Sequence, residues 1–194
     1  MSKIHFVAAA ALLALVGTAQ AQGAKTDGGY FSVGGGRSSF DIDCTGTTAC
    51  DKSGSAVRVS GGYRKGGFGY EAVILRFGTT KATVPVAGFG NVVAELKTEM
   101  VGGGVALMAP FSNNLEGMVR LGVASVKTSG GGSVNNVRVN IGSERKAKLY
   151  AGLGISYAFT PTVNVQANWD STQATFAGDD GNVSAFTVSV GFKF

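Results

Sequence analysis

Residues 149–169 carry no charged side chain, yet their apolar members recur at every second position rather than every 3.6. The odd positions from 149 to 159 read Leu, Ala, Leu, Ile, Tyr and Phe, set against Tyr150, Gly152, Gly154, Ser156 and Ala158. Past Phe159-Thr160-Pro161 the alternation resumes, with Val163, Val165, Ala167 and Trp169 opposite Asn164, Gln166, Asn168 and Asp170. A helix would scatter these residues over its whole surface, and Gly152, Gly154 and Pro161 would interrupt it. The stretch therefore predicts two β-strands joined by a tight turn, and it removes the one candidate for a membrane helix after residue 21.

The same period divides the chain into eight strands, near 29–40, 55–65, 67–78, 92–108, 114–128, 146–159, 162–173 and 182–194. Their connections alternate in length. Those at Lys65-Gly66, from Pro110 to Asn113 and at Thr160-Pro161 are tight, whereas 41–54, 79–91, 129–145 and 174–181 are long and polar. Short turns at one end and long loops at the other are the pattern of a bacterial outer-membrane barrel, and strands of this length suit a tilted crossing of lipid. The expected fold is all-β: an eight-stranded antiparallel up-and-down transmembrane β-barrel. Composition agrees by exclusion. The 31 glycines follow no three-residue period, which removes collagen, and 15% charged against 44% hydrophobic residues is too apolar for disorder.

The first residues read as an address. Lys3 and His5 precede an apolar run over residues 6–17 and the small-residue site Ala19-Gln20-Ala21, so residues 1–21 are expected to be a cleaved secretory signal and 22–194 the barrel domain. Cleavage removes His5, the single histidine. The alternative is a retained anchor helix, for which the run is short.

Alternation alone does not say which face is apolar, because a soluble lipocalin-like barrel alternates with the opposite sense. Three features favour the membrane: the export signal, the ending on an alternating strand with Phe186, Val188, Val190, Phe192 and Phe194 on one face, and aromatics at strand ends. Those are Tyr30, Phe31, Phe68, Tyr70, Phe111, Tyr157, Phe159, Phe192 and Phe194, placed as an interfacial girdle would be. Trp169 is expected to face lipid near the external boundary.

The ending Val188-Ser-Val-Gly-Phe-Lys-Phe194 resembles the C-terminal signal by which the barrel-assembly machinery recognises its clients, with Phe192 and Phe194 carrying it. Tyr30-Phe-Ser-Val-Gly-Gly-Gly-Arg-Ser-Ser-Phe40, the Cys44…Cys50 loop, Gly69-Tyr-Glu-Ala and Phe77-Gly78 resemble the small OmpA-like outer-membrane β-barrel family. The resemblance spans the chain after residue 21 and is nearer to stand-alone barrels of the OmpX type. It implies no peptidoglycan-binding domain and no cell-wall tethering.

An arginine or lysine facing mid-bilayer lipid costs about 2–4 kcal/mol, so charged parity is expected to point inward. That places Arg58, Glu71, Glu95, Lys97, Glu99, Glu116, Arg120, Lys148 and Asp170 in the lumen. Both signs are present, which favours a compensated plug over a charged constriction selecting ions, since eight strands enclose little more than side chains. Glu95, Lys97 and Glu99 share parity with Val105 and Leu107, so a glycine bulge at Gly102-Gly103-Gly104 is expected to switch faces. Gly34-Gly35-Gly36 is either a similar bulge or room for crowded interior side chains. With Glu71 inward, Val73 and Leu75 follow it and Arg76 points out, to snorkel at the outer rim.

Cys44 and Cys50 lie in the first external loop of an exported chain, and a local disulfide is expected. A zinc site would need further ligands, and no histidine survives processing. The clusters Asp41, Asp43, Asp51 and Asp179-Asp180 read as solvated loop charge, with cation binding the rival. Lys127, Arg138, Arg145 and Lys146 outnumber Glu144 around the third long loop, a rim suited to lipopolysaccharide phosphates. Nothing supports nucleic-acid binding beyond charge sign. Neither GxGxxG nor GxxxxGK occurs, and no serine has a base or a GxSxG elbow. Only a carboxylate mechanism through Glu71 or Glu116 stays open.

The expectation is a monomeric, non-enzymatic outer-membrane protein without cofactor or metal. Its role is structural or interfacial, through external loops that meet outer-membrane lipid, lipopolysaccharide or host and cell-surface ligands. The rival is a narrow pore or small-solute transporter, and a soluble ligand-carrying barrel is a third class.

Overall fold

The computed structural model describes residues 27–194 apart from 43, 46, 87–89, 135, 136 and 177, so the expected signal segment 1–21 lies outside the described residues. The strands are β1 (Gly28–Phe40), β2 (Ala49–Asp51), β3 (Ser53–Lys65), β4 (Phe68–Val86), β5 (Gly90–Pro110), β6 (Leu115–Val134), β7 (Val137–Ala158), β8 (Val163–Phe176) and β9 (Asp179–Lys193). All but the short β2 pair with their sequence neighbours in antiparallel register. β1 pairs with β9, and β4 with β5, so eight strands close into a barrel. Closure removes every edge inside lipid, where an unpaired backbone group would cost several kcal/mol, at about the scale of a lost hydrogen bond in hydrocarbon.

The faces are sorted inside out relative to a soluble protein. Val57, Ile74, Val101, Leu121, Val123, Leu149, Phe186 and Val188 are exposed on the outer surface, while Arg58, Arg120, Asn168 and Asp170 are buried within. Glycine makes the tight turn between β3 and β4 possible, because Gly66 sits at φ 60°, a conformation unfavourable for other residues.

The one register shift in β4–β5 pairing lies between Arg76 and Thr79, where Gly78 has φ 74°. Before it Glu71, Val73, Leu75 and Phe77 are buried; after it Thr80 is, so the bulge swaps the inward parity of β4. The bulge expected at 102–104 is absent, and at 34–36 the second alternative, room in a crowded interior, applies, since both triplets pair without a break. They are close-packing sites instead. A Cβ on Gly34 would overlap the Val188 carbonyl, one on Gly36 the Phe186 carbonyl, and one on Gly104 the Leu121 carbonyl.

Strands β4 to β7 hold 19, 21, 20 and 22 residues, roughly twice the nine to eleven that lipid requires. The segments 79–91 and 129–145, expected as irregular loops, are mostly paired strand, reaching Val86↔Gly90 and Val134↔Val137. A four-stranded wall therefore rises beyond the barrel at the end opposite the short turns. β2 adds to its edge through Ala49↔Thr83, Cys50↔Ala82 and Asp51↔Lys81. On the other edge β8 begins pairing with β7 only at Tyr150↔Thr172. Above that point β7 pairs with β6 alone among the described strands.

Candidate functional site

The interior is stacked in layers along the barrel axis. At the short-turn end Arg64 grips Glu116 with one nitrogen, 3.0 and 2.8 Å from the two carboxylate oxygens, and also donates to the Gly66 carbonyl. Lys193 stands 4.0 Å from the same carboxylate. Next comes a small apolar cluster of Tyr30, Ala106, Met108 and Met118. Tyr30 was expected in the aromatic girdle, but it turns inward and donates to Glu71 Oε2 at 3.2 Å.

A layer of balanced charge follows. Arg58, with no solvent exposure, donates to Glu71 Oε1 at 2.8 Å and to Asp170 Oδ2 at 3.0 Å. It also donates to Ser60 Oγ at 2.7 Å. Arg120 Nε lies 3.0 Å from the same Glu71 oxygen as an ion pair without hydrogen-bond alignment, and its Nη2 donates to Asn168 Oδ1 at 2.8 Å. Tyr150 donates to Asp170 Oδ1 at 2.6 Å. Two guanidiniums thus face two carboxylates. Desolvating four charges is expensive, and the multiple hydrogen bonds are what compensate it.

Glycine opens the space these groups occupy. Gly34 stands in register with Arg58, Gly62 and Gly104 with Glu71, and Gly152 with both Arg120 and Asp170. A Cβ on Gly152 would come within 2.7 Å of Asp170 Oδ1, and one on Gly154 within 3.0 Å of Arg120 Nη1. Above the charges, Phe40, Val73, Leu75, Phe77, Met100, Val126 and Val183 close the interior with an apolar cap.

Of the residues expected in the lumen, Arg58, Glu71, Arg120 and Asp170 meet in this layer, and Glu116 sits at the short-turn mouth. Lys148 stands in register with Ala124 of the cap cluster and is held by both oxygens of Asp180 at 2.8 Å. Glu95, Lys97 and Glu99 are corrected. β5 keeps Thr98, Met100, Ala106 and Met108 inward, so the three charges take the outer face. There they pair with Lys81, each other and Arg76 at 2.9, 3.0 and 3.6 Å. They stand on the part of β5 level with the wall's base, where water meets them and the lipid cost that drives charge inward does not apply. Arg64, Tyr30, Tyr150 and Asn168 complete the interior network. Their signal is parity within each strand, which Arg64 shares with Arg58 on β3, Asn168 with Asp170 on β8, Tyr150 with Lys148 on β7 and Tyr30 with Ser32 on β1.

Outside, Cys44 and Cys50 form a disulfide with Cα atoms 6.0 Å apart. It closes the loop whose β2 segment docks on the wall. Asp51 accepts from the Ser53 amide and hydroxyl, both at 3.0 Å, and these bonds hold its carboxyl below the usual range. Asp43 and the Arg138 side chain lie outside the described residues. Most outward aromatics gather at the short-turn end, among them Phe31, Phe68, Phe111, Tyr157, Phe159 and Phe192; Trp169 and Phe186 face outward nearer the other end, paired in register.

The Lys148 ammonium, with the Thr175 hydroxyl, holds the Asp180 carboxyl below its ordinary value of 3.8. A carboxyl depressed in the folded state adds stability above its ordinary value and loses it as pH falls through the lowered one. Amide protection in the β8–β9 hairpin, measured against the intrinsic exchange rate at each pH, is therefore expected to fall as pH drops through the ordinary value of 3.8 and below it, and Asp180→Asn to show the lowered protection already at neutral pH. Unchanged exchange in that variant would mean the pair does not tether the hairpin.

Solved structures share this architecture. Neisserial surface protein A superposes with a TM-score of 0.59 at 15% identity, covering 86% of this chain and 97% of that one. Ail, the attachment invasion locus protein of Yersinia pestis, gives 0.57 at 16% identity, covering 87% and 99%. A major outer membrane protein from Thermus thermophilus gives 0.50 at 11% identity, covering 86% and 99%. At these identities the likeness is one of fold. Comparison with curated proteins yields no match. The model of the outer membrane protein beta-barrel domain matches residues 8–194, so the inside-out, eight-stranded closed sheet described above is that of an integral outer-membrane protein, and the chain belongs to the outer membrane protein β-barrel domain family.

Proposed function

We propose that this is a non-enzymatic outer-membrane barrel that acts through its external surface: the wall of β4–β7 and the disulfide-closed loop beside it. The observation that carries the reading is a filled interior beneath an extended exterior. An eight-stranded barrel has room for little beyond its own side chains. A solute following the axis would have to displace Phe77, Leu75 and Met100, each without exposure, and then separate Arg58 from Glu71 and Asp170. The exterior, by contrast, continues as paired strand well past what spanning lipid needs. Residues 22–194 contain no histidine, and the buried Ser32 and Ser60 hydroxyls are taken up by Arg58, from which both accept, and by each other.

The test shortens the wall without touching the barrel. Residues 82–94 and 130–142 are each replaced by an Asn-Gly turn, joining the register pairs Lys81↔Glu95 and Ser129↔Ser143. Both proteins are expected to keep heat-modifiable migration in gel electrophoresis. Cells bearing the full protein are expected to adhere to host-cell surfaces more than cells bearing the short form. Equal adherence would take the wall out of the function.

The proposal extends to biogenesis, with outward Phe192 on β9 and Phe194 just beyond it as the assembly signal. Deleting Phe194 is expected to lower the outer-membrane level several-fold while the refolded protein unfolds almost as before. A normal level in membranes would contradict that role.

A further inference from the structure

We propose that the outer face of β4–β7 binds a phosphate of an outer-leaflet glycolipid, held between Lys127 and Arg145 with Arg76 and Lys97 beside them. This deepens the reading of an external, lipid-bounded working surface and rests on it. The continuous register Arg76↔Glu99, Glu99↔Lys127 and Lys127↔Arg145 sets four charged side chains in one row across four strands. At the usual strand spacing the row is about 14 Å long. The row beneath it runs Ile74↔Val101↔Ser125↔Ala147, and the next contains Val123 and Leu149. Ile74, Val101, Val123 and Leu149 are exposed on the lipid face, so the charged row is the first above the apolar belt.

The charges in the row do not balance. Glu99 is its one carboxylate, and it is taken up by Lys97 at 3.0 Å and Arg76 at 3.6 Å. Arg145 has no ion-pair partner among the described residues, and Lys127 meets only the shared field of Glu99. Lys127 and Arg145 stand directly opposite each other on paired strands, a placement that destabilises a sheet unless an anion lies between them. Glu144, the neighbour in sequence, has the opposite parity on β7 and a buried carboxylate oxygen, so it does not serve the outer row. Phosphate fits the vacancy in charge: arginine matches its oxygens in a bidentate fork, and basic residues at the headgroup level draw anionic lipid.

The test titrates the refolded protein in detergent with bisphosphorylated lipid A and with the same lipid stripped of its phosphates, read by native mass spectrometry. The protein is expected to retain the phosphorylated lipid at least ten-fold better. The double variant Lys127→Gln, Arg145→Gln is expected to lose at least ten-fold of that binding while still migrating as a folded barrel. Undiminished binding by the variant, or equal binding of the two lipids, would overturn the proposal. Millimolar inorganic phosphate is expected to leave the lipid bound; displacement would assign the site to a free anion instead. The shortened-wall protein keeps residues 76, 97, 127 and 145 and is expected to bind as the full chain does, which separates failure here from failure of the wall's role.

Discussion

Replacing Arg58 by methionine is expected to lower the unfolding free energy by about 3–5 kcal/mol, the cost of leaving buried charge without a partner. Among the described residues Arg58 alone pairs with both carboxylates of the charged layer, Glu71 at 2.8 Å and Asp170 at 3.0 Å. Its loss leaves Asp170, among the described residues, with the Tyr150 hydroxyl alone and Glu71 with Arg120 and the Tyr30 hydroxyl. The double variant Arg58→Met, Asp170→Asn removes one charge of each sign and keeps the Glu71–Arg120 pair. It is expected to recover roughly half or more of the loss, a coupling that neighbouring residues of one network show. Urea unfolding of the refolded barrel in lipid vesicles measures both. A single variant within about 1 kcal/mol of the parent, the range of exposed pairs, would mean that water reaches the layer.

Gly104→Ala is expected to cost about 3 kcal/mol, at the upper end of ordinary overpacking, whereas Gly103→Ala changes stability by about 0.5 kcal/mol or less. The two glycines are neighbours on one strand, and the difference is direction. A Cβ on Gly104 points inward, overlaps the Leu121 carbonyl and comes within 2.6 Å of Gly122 Cα. Both contacts are backbone of the paired strand, which moves only by opening the β5–β6 ladder. A Cβ on Gly103 points outward and meets nothing nearer than the Glu71 carbonyl at 3.5 Å. The same unfolding experiment reads the pair, and equal costs would show that the interior is loosely packed at this level.

Much of this barrel was legible because lipid imposes a strict rule. Wherever a strand crosses hydrocarbon, the period of two and the cost of exposing charge fix its faces, and Arg58, Glu71, Arg120 and Asp170 follow from parity. The rule misled where its premise lapsed. Avoidance of lipid by charge places Glu95, Lys97 and Glu99 in the lumen, but β5 runs past the lipid, and their shared parity with Val105 and Leu107 is the sign of it. A glycine bulge was the wrong repair; Gly102 and Gly104 are small because Ala124 and Gly122 press against them. The reach of the wall was hidden for a related reason. Residues 79–91 and 129–145 are polar and glycine-rich and so read as loops, although backbone pairing in water needs no apolar face. Tyr30 shows the limit of residue type as a guide: an aromatic near a strand end suits a girdle, yet its parity with Ser32 and Ser38 turned it inward to Glu71. Of the outer row, the sequence shows the excess of Lys127 and Arg145 around the third long loop, but that they stand opposite each other in line with Arg76 and Glu99 follows only from the register of four strands.

The central claim is that the lumen is solid and the working surface external. Single-channel recording of the refolded protein in a planar bilayer, with heat-modifiable migration checked on the same sample, tests it most directly. The expected result is silence from a demonstrably folded barrel, both for the parent and for variants neutralised at Glu116. Steady, reproducible openings whose conductance shifts when Arg120 or Glu116 is neutralised would contradict it and make the charged layer a conducting constriction.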